Sequence, residues 1–112
     1  MASYKFVALS VPIVGREPEF ETWYDKQHIP DCLRLAGFKG AQRFRIDAKP
    51  VGADVPAWKY MVIYDIESDN IDATLAQIAK VARTAAMPMT DSMDMTAGLR
   101  FVAAPAAPYC GR

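Results

Sequence analysis

Residues 58–66 carry apolar side chains on both faces of a predicted β-strand. One face receives Trp58, Tyr60, Val62 and Tyr64, and the other receives Met61 and Ile63. Residues 4–11 repeat the pattern, with Phe6 and Ala8 opposing Val7 and Leu9. Strands with this pattern are typically buried on both sides. The fold must therefore cover both faces of its sheet.

The order of elements follows from hydrophobic periodicity and from the turn residues between the periodic runs. Strands are predicted at residues 4–11, 38–46 and 58–66 and within 93–103, and helices follow Pro18 and Asn70. The second helix should end before Pro88, and residues 47–57 should form a loop. The order βαββαβ predicts an α+β, ferredoxin-like domain with a four-stranded antiparallel sheet. We expect one domain at residues 1–105 and an irregular tail at 106–112.

Two helices can cover only one face of such a sheet, which leaves an apolar face to be buried. The simplest cover is a second copy of the chain, packed sheet on sheet as a twofold homodimer. Four methionines suit adaptable packing near a joint or a pocket rim: Met87, Met89, Met93 and Met95. Without a His or Cys cluster, a metal site built on them is not expected.

Charge and cysteine content narrow the class of function. The 13 basic residues balance 13 acidic ones, so nucleic acid lacks an electrostatic attraction to this chain. No apolar run approaches the ~20 residues that span a bilayer, and we expect a cytoplasmic protein. Cys32 and Cys110 are too few for a disulfide framework, and Cys32 keeps a minor interpretation as a nucleophile.

The only histidine, His28, lies on the first predicted helix. Helical spacing places Phe20, Trp23, Tyr24 and Gln27 in one stripe with His28 at its edge. Pro30 should stop or kink the helix near His28. A helix end favours imidazolium by roughly 0.3 to 2 kcal/mol, whereas burial favours the neutral ring, and the sequence leaves both open. Asp31 either fixes the tautomer or caps a second short turn that ends at Gly37.

The spacing Trp23-Tyr24-x-x-x-His28-x-Pro30-Asp31, followed by Leu35-Ala36-Gly37-Phe38 and Arg43-Phe44, resembles the EthD-like branch of the dimeric α/β-barrel superfamily. The resemblance implies a ferredoxin-like protomer whose sheet pairs with that of a partner to form a barrel. It also implies a pocket within each protomer, between helices and sheet. Members include cofactor-free monooxygenases, polyketide cyclases, dehydratases, decarboxylases and lactone isomerases, as well as accessory proteins. With a single histidine, a two-histidine mechanism is excluded and haem ligation by a strand histidine is unsupported.

Three interpretations of His28 remain: a structural imidazole at a helix end, a general acid or base, and a metal ligand short of partners. As catalytic residues we predict His28, Tyr24 and Asp31, with the Tyr24 and Tyr64 hydroxyls available to an enolate or phenolate. The residues predicted to line a pocket for a flat, apolar ligand are Phe20, Trp23, Phe44, Trp58, Tyr60 and Tyr64. Arg43 either pairs with a ligand carboxylate or lies on a solvated strand edge.

Motifs that bind phosphates or dinucleotides and the nucleophile elbow are missing from the sequence, so no cofactor and no metal are expected. The predicted function is cofactor-independent proton transfer on a small aromatic, lactone-like or polyketide-like carbonyl or phenolic substrate. Isomerase, lyase, cyclase and decarboxylase outcomes all fit this chemistry. The alternatives are a non-catalytic dimeric binding or accessory protein and a cofactor-free monooxygenase.

Overall fold

The computed structural model describes residues 1–47, 51–52 and 56–112, so the predicted loop at 47–57 lies partly outside the described residues. The strands are β1 (Ala2–Ser10), β2 (Phe38–Arg45), β3 (Tyr60–Ser68) and β4 (Leu99–Ala103). The helices are α1 (Glu17–Trp23), α2 (Ile29–Leu33) and α3 (Ile71–Val81), with a π-helical segment, Tyr24–His28, between α1 and α2. All pairings in the sheet are antiparallel, in the order β2-β3-β1-β4. The predicted ferredoxin-like α+β fold is confirmed.

The core lies between the helices and one face of the sheet. Alternate residues of β1 and β3 supply Phe6, Val62, Tyr64 and Ile66, and the first helix supplies Phe20 and Tyr24. Apolar residues of α3 pack against this cluster: Ile71, Leu75 and Ile78. Both helices therefore cover the same side of the sheet, as predicted.

Helix α3 begins directly after Asn70, where the sequence predicts a helix to start. The Asn70 side-chain oxygen accepts a hydrogen bond from the Ala73 backbone N–H at 3.1 Å. This bond satisfies one of the free N–H groups of the first turn. The cap fixes where α3 starts and thus which of its residues meet the sheet.

The first helix does not stop at His28, so of the predicted stop or kink the stop is wrong, and the regular helix is interrupted there by the π-helical segment. Trp23, His28 and Ile29 all have helical backbone angles, so α1, the π-helical segment and α2 form one continuous helix. The Ile29 N–H donates to the carbonyl of Tyr24, five residues back. A wider turn of this kind accommodates Pro30, which lacks an N–H and clashes with a regular turn. His28 therefore lies in the middle of a helix, and the helix-end stabilisation of imidazolium does not apply.

Strand β2 contains an irregularity that the sequence pattern hides. Phe38 pairs with Ile66 on β3, whereas Gly40 pairs with the adjacent Asp65, so the register shifts between Phe38 and Gly40. A bulge of this kind moves the following side chains to the opposite face. Phe38 therefore points into the core, while Phe44 lies on the face away from the helices, although strict alternation along residues 38–46 would place both on one face.

The face away from the helices is apolar. The register places Val7 beside Ile63 and Phe101, and Leu9 beside Met61 and Leu99. Side chains near the edges of this face are open to solvent, with Leu99 44% and Phe101 43% exposed. None of the helices in the described part of the chain has the length and apolar character needed to cross a membrane.

Candidate functional site

The π-helical segment presents a stack of aromatic rings to the sheet. The His28 ring stacks on Trp23, with ring centroids 4.4 Å apart and planes 18° from parallel. Tyr24 meets the same imidazole edge-on at 5.4 Å. Segments of π-helix are common at functional sites because they reposition side chains along a helix. Here the segment brings Tyr24 and His28 inward together, and both are buried.

A cavity of about 140 Å³ lies between this segment, the sheet and the loop that precedes β4. Its aromatic walls are Phe6, Trp23, Tyr24 and Tyr64, and three methionines, Met89, Met93 and Met95, also line it. Tyr24 and Tyr64 are almost fully buried, whereas Met95 and Arg100 are exposed. The cavity therefore has an apolar floor of aromatic rings and opens beside β4.

Three buried polar atoms in the residues of the cavity wall make no hydrogen bond of normal length and angle, although the Ser10 hydroxyl lies near Tyr24 and the Tyr64 hydroxyl near Cys32. They are Ser10 Oγ, His28 Nδ1 and the Tyr64 hydroxyl, the complete set of unpaired buried side-chain atoms in the described part of the chain. All three residues line the same cavity. Buried polar groups are nearly always paired in native proteins, so three such atoms in the residues of one cavity wall are an unusual concentration.

Burial sets the charge of the imidazole. It lowers the pKa of His28 from 6.5 to about 4, since an ionised ring loses its hydration inside the protein. The negative charge of Asp31 opposes the shift and the positive charge of Arg100 adds to it. His28 is therefore neutral at pH 7, which resolves the alternative that the sequence left open.

The thiol of Cys32 is the polar neighbour of the imidazole. Its Sγ lies 3.7 Å from His28 Nε2, one helical turn away. Burial raises the pKa of Cys32 to about 11, with the nearby Tyr64 hydroxyl partly offsetting the shift. The sulfur is thus a neutral thiol near pH 7, and the reactive thiolate that a nucleophile requires is scarce.

The two tyrosines of the cavity keep their protons. Burial raises the pKa of Tyr24 to about 12, although the Ser10 hydroxyl works against the shift. Burial raises the pKa of Tyr64 further above its ordinary value. Both phenols can therefore donate a hydrogen bond to a ligand oxygen at neutral pH.

Of the residues predicted for the site, Trp23, Tyr24, His28 and Tyr64 lie together on the cavity wall. Phe20 is fully buried behind them, with its ring 5.1 Å from that of Tyr24. It supports the wall and is separated from the cavity.

Asp31 does not meet the imidazole through a hydrogen bond. Its buried carboxylate accepts hydrogen bonds from Gln27 Nε2 at 2.7 Å and from Arg34. The interaction with His28 is therefore through space, by charge, and the predicted fixing of the tautomer by Asp31 has no contact to support it.

The other predicted pocket residues lie elsewhere. Arg43 pairs with Asp25, at 2.8 and 2.9 Å, and its guanidinium carbon lies 5.1 Å from the ring centre of Tyr60. Tyr60 donates to Glu21, and the Trp58 indole donates to the Ala97 carbonyl. Phe44 is on the opposite face of the sheet because of the β2 bulge. None of these four residues is on the cavity wall.

Sequence reasoning missed Ser10, Arg100 and Asp94, which line the cavity. Ser10 continues the alternation of Phe6 and Ala8 on β1, so its position on the inner face was available from the pattern. Predicting Arg100 as a cavity residue required the exact position of β4 within residues 93–103, which the sequence left undefined. Asp94 lies in the irregular segment before β4 and carries no such signal.

Comparison with solved structures returns the same architecture. An ethyl tert-butyl ether D (EthD) family protein from Bacillus halodurans C-125 is similar, with a TM-score of 0.53 and 11% sequence identity. The match covers 94% of this chain and 99% of that one. No protein-family model and no curated protein matches the sequence. At this identity the likeness concerns the fold alone, and this chain shares the ferredoxin-like architecture of that protein.

Proposed function

We propose that the cavity binds a small aromatic or enolisable molecule and that His28 removes a proton from it without a cofactor. The observation that carries this proposal is that three buried polar atoms without a hydrogen bond of normal geometry belong to residues of one aromatic-walled cavity, Ser10, His28 and Tyr64. Packing alone gives no reason for three such atoms to meet. A ligand with oxygen atoms would pair them.

The cavity volume limits the ligand. About 140 Å³ is close to the volume of an engineered apolar cavity that holds one benzene molecule. A single ring therefore fits inside, and a fused polyketide would extend through the mouth. The preferred substrate is a one-ring compound with a carbonyl or phenol.

The proposed base is Nδ1 of His28. If the Nε2 hydrogen points to the Cys32 sulfur, the lone pair of a neutral ring is on Nδ1. This nitrogen takes the proton from a carbon next to the substrate carbonyl. The C–H electrons move to form a C=C bond and the carbonyl π electrons move to oxygen, giving an enolate. Return of the proton at a different position completes an isomerisation.

The phenols of Tyr64 and Tyr24 suit the oxygen on which this charge develops. Both keep their protons at neutral pH and both lie on the cavity wall. A buried donor aimed at a developing oxyanion lowers the barrier because it needs no reorganisation during the reaction. Ser10 offers a third hydroxyl on the same wall.

Deuterium exchange tests this chemistry before the natural substrate is known. One-ring ketones and lactones are incubated with the protein in D₂O, and loss of the α-proton signal is followed by NMR. The parent should accelerate exchange of the compounds it binds, and His28→Gln should reduce that rate by about 10²- to 10⁴-fold. Tyr109→Phe, a substitution in the exposed tail, is the matched control and should exchange at the rate of the parent. Equal exchange by the parent and His28→Gln would show that His28 is not the base.

The second candidate function is ligand binding without conversion. It is favoured by the pKa of His28 near 4, since a general base works best with a pKa near the working pH. A binding protein would show saturable binding of one-ring compounds and no exchange above the rate in buffer. The same NMR samples distinguish the two functions.

A further inference from the structure

Arg100 is a cation at the mouth of the cavity whose charge has no partner in the described part of the chain. It faces the helices, because its register partner on β1 is Ala8, a buried residue of the cavity wall. Neither a hydrogen bond nor an ion pair engages its guanidinium within the described residues. Arg16, Arg34 and Arg43, by contrast, are each paired with a carboxylate.

The carboxylate on the described cavity wall is already engaged. Asp94 is the other charged side chain on the described cavity wall. Its Oδ1 accepts hydrogen bonds from the Thr96 backbone N–H at 3.0 Å and from the Thr96 hydroxyl at 2.6 Å. These bonds lower the pKa of Asp94 and hold its carboxylate towards Thr96. The mouth therefore presents a free guanidinium, while His28 inside is uncharged.

Arginine recognises carboxylates through two parallel N–H groups, and this geometry is stronger and more specific than a single point charge. A position at an apolar cavity mouth suits a molecule with an apolar ring and one acidic group. Building on the proposed function, we infer that Arg100 binds the carboxylate of the ligand, so that the cavity selects one-ring carboxylic acids. The ring lies against Tyr64 and Phe6, and the carboxylate remains at the opening.

Binding of a carboxylate there would also act on the imidazole. The positive charge of Arg100 disfavours imidazolium at His28, and the negative charge of Asp31 favours it. A bound carboxylate offsets the first of these influences and leaves the second. Arg100 therefore ties ligand binding to the basicity of His28, and an acid should be a better substrate than its neutral analogue.

The test uses matched pairs of acid and methyl ester: benzoate, phenylacetate and phenylpyruvate, each against its ester. Dissociation constants are measured by calorimetry for the parent, Arg100→Gln and Arg45→Gln. Arg45 is the control because it is an exposed strand arginine outside the cavity wall. The parent should bind at least one acid about tenfold or more tightly than its ester, since a pair with a charged group is worth about 1.5 kcal/mol or more.

Arg100→Gln should bring the acid to the affinity of the ester and leave the ester within about twofold of its parent value, which also shows that the variant is folded. Arg45→Gln should keep the preference of the parent. An acid preference that survives Arg100→Gln, equal binding of acids and esters by the parent, or no binding of any pair overturns the inference. The same experiments distinguish failure of this inference from failure of the proposed function. If both are correct, His28→Gln should retain the acid preference while losing deuterium exchange.

Discussion

The neutral imidazole of His28 should leave a signature in the pH dependence of stability. Its pKa is about 4 in the folded protein and 6.5 in the unfolded chain, so the unfolded chain binds more protons between these values. Stability should therefore fall as the pH is lowered from 6.5 to 4, by about 3 kcal/mol in total. Urea unfolding at pH 7.5, 6.5, 5.5 and 4.5 measures this loss at fixed protein concentration.

His28→Asn provides the reference for that series, since other titrating groups are common to both proteins. The difference in unfolding free energy between parent and variant should be constant above pH 7 and should shift against the parent below pH 6. Two curves that remain parallel down to pH 4.5 would mean that the folded ring accepts a proton as readily as the unfolded one.

The Tyr64 hydroxyl should contribute to binding and cost stability. It is buried without a partner, so Tyr64→Phe should leave the free energy of unfolding unchanged or raise it by about 1 kcal/mol. The same substitution should weaken binding of phenylacetate by about tenfold if the ligand pairs that hydroxyl. Urea unfolding and calorimetry measure the two effects.

Tyr109→Phe is the control for this substitution, because Tyr109 is 95% exposed in the tail. It should change neither quantity. A loss of about 2 kcal/mol in the stability of Tyr64→Phe would indicate that the hydroxyl already has a partner in the free protein, and the site would lose one of its three unpaired atoms.

At the scale of elements, the turn from α2 into β2 depends on a glycine. Gly37 has φ +88°, and a Cβ there would lie 2.9 Å from the Glu67 carbonyl oxygen and 3.1 Å from Thr74 Cγ2. Gly15 has the same φ with nothing within 4 Å of a Cβ. Gly15→Ala should therefore cost about 1 kcal/mol from the backbone alone, and Gly37→Ala a further 1–3 kcal/mol from the collision.

Urea unfolding of both glycine variants separates the two costs. Because the Glu67 N–H donates to the Gly37 carbonyl at 2.9 Å, the backbone around Gly37 has little freedom to move away. Equal losses for the two variants would show that the chain near Glu67 and Thr74 relaxes, and that the close approach of the Gly37 turn to β3 and α3 is not what requires glycine.

Some helices and strands could be predicted from the sequence, and some of their irregularities could not. Periodicity sufficed for the order of strands and helices and for the Asn70 cap, because each depends on residues close in sequence. The β2 bulge could not be predicted from the sequence, because Phe38, Gly40 and Phe44 fit a regular alternation. Only the pairing of β2 with β3 reveals the register shift. The π-helical segment was hidden as well, because Pro30 predicts a kink or an end and the packing of Tyr24 and His28 decides between them.

The candidate site shows the same division. Trp23, Tyr24 and His28 share one helix, so the stripe could be predicted from helical spacing. Their meeting with Tyr64, Ser10 and Arg100 depends on how three strands align, which is a long-range property. For Arg43 the sequence left open a ligand carboxylate or a solvated strand edge, and in the structure it pairs with Asp25. Arg100 lies on a strand that the sequence could not place.

For the whole molecule, the apolar face of the sheet is the remaining feature to explain. Central residues on that face, such as Val7, are buried by their neighbours, while Phe44, Leu99 and Phe101 are each more than one third exposed. An apolar patch of this kind is uncommon on a monomer. We propose that a second copy covers it, sheet against sheet, with the two cavities on the outer sides of the paired sheets.

Light scattering coupled to size-exclusion chromatography should give a mass twice that of the 12.4 kDa chain. Phe101→Lys should convert the dimer to a monomer, because it places a charge within the apolar interface. Val102→Lys is the matched control: it is the next residue on β4, is 38% exposed, and faces the helices opposite Phe6. A parent that elutes at the mass of one chain, or equal dissociation of both variants, would show that the sheet face does not join two copies.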